Sequence, residues 1–156
     1  YIRQAIEQNP ERKQYNLVCG HIYLEAQRYE EALQEYKEAE IAYEDQPILY
    51  YSRGCVYNGL DNEEASIDNF KKVLELDETY RDTNDKLYSL YRKIYRRYNS
   101  KQDFATALYY INKEIEIREN DANLFHRAVL YDDAMKMELA IKDYEKSLDY
   151  KCAYND

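Results

Sequence analysis

The feature that most constrains the fold is a pattern of large and small residues that recurs every 34 positions. Four pairs share this spacing: Gly20 and Gly54, Tyr23 and Tyr57, Tyr36 and Phe70, and Tyr57 and Tyr91. Self-similarity at a fixed period of about 20–50 residues is the signature of stacked supersecondary units. The chain is therefore predicted to be a row of similar units.

Residues 47–80 contain one complete unit. In each half of this unit, large and small residues recur at helical spacing. The two series are Tyr50, Gly54 and Tyr57, and then Ser66, Phe70 and Val73. Residues 58–62, rich in Asn, Asp and Gly, separate the halves, and Asp61 with Glu64 has the spacing of a capping box. The unit is predicted to be helix, turn, helix.

The preceding unit, residues 13–46, has Cys19-Gly20-x2-Tyr23 in its first half and Ala32-x3-Tyr36 in its second. This pattern resembles the tetratricopeptide repeat. The resemblance implies an all-α fold, a right-handed α-solenoid of antiparallel helix hairpins. In such a hairpin a small residue on the first helix lets the second helix approach closely.

The same register divides the whole chain into four full repeats and one preceding half-repeat. The predicted segments are 1–12 (second helix of a preceding repeat), 13–46, 47–80, 81–120 and 121–154. Residues 81–120 contain an insertion, and because Leu87, Tyr91, Ile94 and Tyr98 keep helical spacing through it, we predict a first helix extended to about Tyr98. A half-repeat at one end and an uncapped helix at the other suggest a fragment of a longer protein.

Composition excludes several classes of function. The net charge of -9 argues against nucleic acid as a partner, because that affinity comes from Lys and Arg. No apolar run is long enough for membrane insertion. Three widely spaced cysteines without a CxxC pair favour a reducing compartment such as the cytoplasm. His21 and His126 have no Cys or carboxylate at ligand spacing, so we expect no metal, no cofactor and no catalysis.

The resemblance implies a concave groove lined by the first helix of each hairpin, which would bind a protein or peptide partner. The residues predicted to line it are Leu17, His21, Tyr51, Cys55, Asn58, Asp85, Ser89, Arg92, Phe125 and Val129. Apolar and aromatic residues stand at its ends with polar residues between them, which suits a peptide with a few apolar anchors. The Lys and Asn set with which some family members hold a terminal carboxylate is not reproduced.

A basic patch stands out in this acidic chain. It consists of Arg92, Lys93, Arg96, Arg97 and Lys101. One interpretation is a docking surface for an acidic partner. The other is a solvated helix face that complements the negative end of the helix dipole.

Three functions remain open at this level. The first is a protein-protein interaction scaffold that binds a peptide segment or a partner helix. The second is a sensory or substrate-recruiting arm of a larger multidomain enzyme or regulator. The third is an oligomerisation module, with self-association through the uncapped ends, because terminal repeats of such arrays normally carry a polar cap.

Overall fold

The computed structural model of the chain describes residues 13–153, and within this range every regular element is an α-helix. The helices are α1 Lys13–Glu25, α2 Tyr29–Tyr43, α3 Pro47–Gly59, α4 Glu63–Leu76, α5 Thr83–Ser100, α6 Phe104–Ile117, α7 Asp121–Asp133 and α8 Met137–Ala153. The predicted all-α fold of helix hairpins is confirmed. The half-repeat predicted for residues 1–12 lies outside the described residues.

The chain forms two compact units that meet in sequence between Thr83 and Asn84. We call them unit 1 and unit 2. The division into four repeats stays a prediction.

Unit 1 contains the hairpins α1–α2 and α3–α4, and both are closed by the same contact. The ring of Tyr36 on α2 lies against the backbone of Gly20 on α1, and the ring of Phe70 on α4 lies against Gly54 on α3. Tyr36 and Phe70 are both fully buried. The recurrence of glycine and aromatic residue at 34 positions thus corresponds to one packing solution used twice.

Unit 2 begins with the long helix α5. It has 18 residues, whereas α1 and α7 have 13 each. The predicted extension is confirmed, and the helix ends at Ser100, two residues beyond the predicted Tyr98. Its inner face packs Tyr95 against Ala107 and Ile111 of α6 and Leu130 of α7.

The capping box predicted at Asp61 and Glu64 is wrong by one position. The N-cap of α4 is Asn62, whose side chain accepts a hydrogen bond from the backbone N–H of Ala65. Asp61 has a left-handed φ of 55° and belongs to the turn that closes α3. In the same way Asp103 caps α6, and Asn120 forms a reciprocal capping box with Asn123 at α7.

Two arginines on first helices are paired with carboxylates of second helices. Arg53 Nη1 on α3 lies 3.0 Å from Glu40 Oε1 on α2. Arg127 on α7 makes two contacts to Asp143 on α8, Nε to Oδ2 at 2.6 Å and Nη2 to Oδ1 at 2.8 Å. Each arginine therefore adds a charge-assisted hydrogen bond between two helices.

Candidate protein-interaction surfaces

In unit 1 the first helices α1 and α3 meet at His21. Its Nε2 lies 2.8 Å from Ser52 Oγ on α3, and its ring packs edge-on against Tyr36 with centroids 5.8 Å apart. The single hydroxyl proton of Ser52 is directed to the carbonyl oxygen of Ile48 at 2.8 Å. The imidazole Nε2–H is therefore the donor to Ser52, which leaves Nδ1 as the acceptor.

His21 is neutral near pH 7. Burial lowers the pKa of its imidazole, and the charge of Arg81 lowers it further, while Glu25 acts weakly in the opposite direction. Because a neutral imidazole offers one donor and one acceptor, His21 ties α1 to α3 and keeps one acceptor nitrogen. Leu17, one turn earlier on α1, is 7% exposed, so it contributes mainly to the core.

Tyr51 on α3 is held on several sides. Its hydroxyl donates to Asp82 Oδ1, and its ring packs edge-on against Phe70 and Tyr80. The guanidinium of Arg81 lies 5.1 Å from the centroid of the ring, close enough for a cation–π contact. Tyr51 thus presents a fixed aromatic edge. Cys55, one turn further, is half-buried, and Asn58 is exposed.

In unit 2 the predicted residues lie on α5 and α7. Asp85 and Ser89 are exposed, and Arg92 is half-buried; Asp85 forms an ion pair with Arg118. On α7, Phe125 is 47% exposed and Val129 is 36% exposed.

The faces of α5 and α7 are joined by His126. Its ring lies 5.7 Å from that of Tyr95 on α5 and 6.3 Å from that of Phe125. Burial lowers the pKa of His126, and the charges of Arg92 and Arg96 lower it further. The positive charges of Arg92 and Arg96 therefore favour the neutral form of His126, whose ring lies between α5 and α7.

Beneath these groups lies Glu114 of α6, which is 2% exposed. Burial raises the pKa of its carboxyl group, against the opposing effects of hydrogen bonds to Tyr88 and Asn123 and of the nearby charges of Arg92 and Arg96. No signal in the sequence points to Glu114, because its surroundings in the chain resemble an exposed helix face.

The five residues of the basic patch have different surroundings. Arg92 and Arg96 act on His126 and Glu114. Arg97 and Lys101 instead lie over the ring of Tyr98, at 5.3 Å and 5.8 Å from its centroid. Lys93 is exposed. We call Arg92 and Arg96 the inner arginines.

Metal binding and membrane insertion would require other features in residues 13–153. Among the side chains that the structure describes there, no group of three or more His, Cys, Asp or Glu is placed to hold a metal ion. None of the described helices is long and apolar enough to cross a membrane. None of Cys19, Cys55 and Cys152 forms a disulfide bond.

Helix hairpins that recur along a chain are typical of one class of protein, the α-helical repeat proteins. Within that class, comparison with protein families matches residues 48–80 to the Tetratricopeptide repeat family. The chain thus contains a tetratricopeptide repeat, and the resemblance seen in its sequence is confirmed. No curated protein matches the chain.

Solved structures of MamA have a similar fold. A crystal structure of MamA is 18% identical over 98% of this chain and 86% of that chain, with a TM-score of 0.53. The structure of MamA from residue 41 to its end, from Desulfovibrio magneticus RS-1, is 14% identical over 93% of this chain and 98% of that one, with a TM-score of 0.52. At such identities the similarity establishes the fold alone. The repeat and this fold support, in general terms, a scaffold for protein interactions.

Proposed function

We propose that the chain is a protein-protein interaction scaffold without catalysis, which holds a peptide segment or a partner helix on the exposed faces of its first helices. Repeat folds of this kind present extended binding surfaces, and reversible peptide binding there requires no cofactor. The net charge of -9 argues for a protein partner and against nucleic acid. A reducing compartment such as the cytoplasm stays an expectation.

One observation carries this proposal. Helix α7 keeps Phe125 and Val129 exposed at 47% and 36%, although Leu124, Ala128 and Leu130 of the same helix are at most 3% exposed. Phe125 and Val129 are four residues apart and lie on one face of the helix. The ring of Tyr144 on α8 packs against the ring of Phe125, with centroids 5.5 Å apart. An aromatic side chain that is held in place by packing, such as Phe125 beside Val129, is typical of the few residues that dominate binding energy at protein interfaces.

The experiment is selection from a display library of random peptides of about 12 residues, long enough to cross two adjacent helices in extended form. We expect the chain to enrich a family of related peptides, and the variant Phe125→Ala/Val129→Ala to bind them at least about tenfold more weakly, as for loss of interface anchors. The matched control is Tyr109→Ala, which removes an exposed aromatic residue from the second helix α6. Enrichment of nothing, or equal loss in the control, contradicts the proposal.

A second candidate, an oligomerisation module, is favoured by the outer flank of α8. Met137, Ile141 and Leu148 are exposed at 58%, 53% and 59%, and their spacing places them on one side of the helix. The partner would be a second copy of the chain. Sedimentation over a wide concentration range tests this candidate: a mass that stays monomeric, or one unchanged by Ile141→Glu/Leu148→Glu, rules it out.

The chain as a sensory or substrate-recruiting arm is compatible with the same binding surface. In that case any catalytic part lies outside these residues, and the full-length sequence provides the test.

A further inference from the structure

We propose that the segment bound on α5 and α7 is acidic, with an Asp or Glu side chain that binds the inner arginines and a nearby large apolar side chain that packs on Phe125 and Val129. This inference rests on the function proposed above and names the chemistry of the partner.

The charged part of this surface consists of two cations. Arg92 and Arg96 are one helical turn apart on α5, which places their side chains on the same face. The charges of both act on His126 of α7 and on Glu114 of α6. Two guanidinium groups that act on the same neighbours suit a carboxylate, which accepts charge-assisted hydrogen bonds from both.

The groups around the inner arginines determine how far their charges are balanced. Glu114 lies beneath them and is 2% exposed, so its carboxyl group cannot move outward to cover the solvent side. Asp85, on the same side of α5, is engaged with Arg118. His126 carries a lowered pKa, so near pH 7 it contributes a hydrogen-bonding nitrogen and no positive charge. The outer side of the inner arginines therefore stays positive in a chain whose net charge is -9.

The charged and apolar parts of this surface meet at His126. The ring of His126 contacts Tyr95 on α5 and lies next to Phe125 on α7, so the inner arginines and the Phe125–Val129 pair flank the same imidazole. Packed helices have axes about 8–10 Å apart, and an extended peptide advances about 3.3 Å per residue. The acidic and apolar residues of the partner should therefore be about two to four positions apart.

The test uses the same display library of random peptides, with the whole chain as bait. We expect the selected peptides to be enriched in Asp or Glu about two to four positions from Phe, Leu, Ile or Met. Fluorescence anisotropy of a selected, synthesised peptide should show affinity that falls about tenfold or more for Arg96→Glu, since charge-assisted hydrogen bonds of this kind are strong. Affinity should also fall as NaCl is raised.

The matched control is Arg97→Glu, the same charge reversal on the same helix at the side chain that lies over Tyr98. It should lower affinity much less than Arg96→Glu. Because Arg92 is half-buried, its variant is the milder Arg92→Gln, and circular dichroism confirms that each variant is folded. A peptide whose acidic residues are replaced by Asn or Gln should lose affinity for the wild-type chain and bind the wild-type and Arg96→Glu chains alike.

The outcomes separate the two proposals. This inference is overturned if the selected peptides require Phe125 and Val129 but show no preference for acidic residues. It is also overturned if they bind the Arg96→Glu and wild-type chains equally, and in both cases the scaffold function still stands. Selected peptides rich in Lys and Arg overturn it as well. Failure to select any peptide overturns both.

Discussion

The ring of Phe70 occupies the space that a side chain at position 54 would need. A Cβ atom added to Gly54 would lie 2.8 Å from Cε1 of Phe70, and Phe70 is fully buried. Gly54 lies within helix α3, and its lack of a side chain allows α3 and α4 to approach closely.

We therefore predict that Gly54→Ala destabilises the chain. Alanine favours a helix over glycine by about 0.5–1 kcal/mol, but overpacking a core costs about 1–3 kcal/mol. The cost of the clash exceeds the gain in helix propensity because Phe70 has no room to move. The free energy of unfolding in urea should therefore fall by about 1 kcal/mol or more. Gly59→Ala is the control, since its added Cβ meets the ring of Tyr29, which is only half-buried and is able to shift. Equal losses at positions 54 and 59 would contradict this account.

A second prediction concerns the ion pair of Arg127 and Asp143. Their side chains are 20% and 6% exposed, and Arg127 also donates to Asn112 Oδ1 at 2.8 Å. Arg127→Met leaves the carboxylate of Asp143 buried and uncompensated, so we expect unfolding in urea to show a loss of about 3–5 kcal/mol. The double variant Arg127→Met/Asp143→Leu removes both charges and should recover most of that loss. A double variant as unstable as the single one would show that packing, and not the charge, sets the cost.

A third prediction follows from the buried carboxyl group of Glu114. Its pKa is raised above the ordinary value of 4.5 by burial, so the folded chain binds the proton more tightly than the unfolded chain does. Its contribution to stability is therefore fully present below pH 4.5 and is lost as the pH rises through the folded pKa. Glu114→Gln removes this titration. The free energy of unfolding of Glu114→Gln relative to wild type should increase between pH 4 and pH 7, and a difference that stays constant across this range would contradict the assignment.

The fold was predictable because its main contacts repeat. Gly20 with Tyr36 and Gly54 with Phe70 obey one spacing. A different signal, the helical spacing of apolar residues that continues to Tyr98, indicated the longer α5. The cap of α4 was missed because Asp61 and Asn62 are both suitable N-cap residues. The choice depends on the backbone, which takes Asp61 into the left-handed region and leaves the capping position to Asn62.

The contacts around the candidate surface join residues that are distant in the sequence, and no local pattern encodes them. Arg127 and Asp143 stand 16 positions apart, and Glu114 is buried beside Tyr88 of α5 and Asn123 of α7. The contact between His126 and Tyr95 likewise has no signal in the sequence, since it requires two helices to pack. The groove residues remain a prediction that the binding experiments above address.

The last prediction tests the turn that ends the long helix α5. Asp103 accepts hydrogen bonds from Thr106, at 3.1 Å from its backbone N–H and at 2.8 Å from its hydroxyl, and it starts α6 where the inserted residues end. Asp103→Ala removes this N-cap and should lower the free energy of unfolding by about 1 kcal/mol, with faster hydrogen exchange in the first turn of α6. Asp103→Asn keeps a good capping oxygen and should be nearly as stable as wild type. If both substitutions cost the same, the effect comes from the charge of Asp103 at the helix dipole and not from the cap.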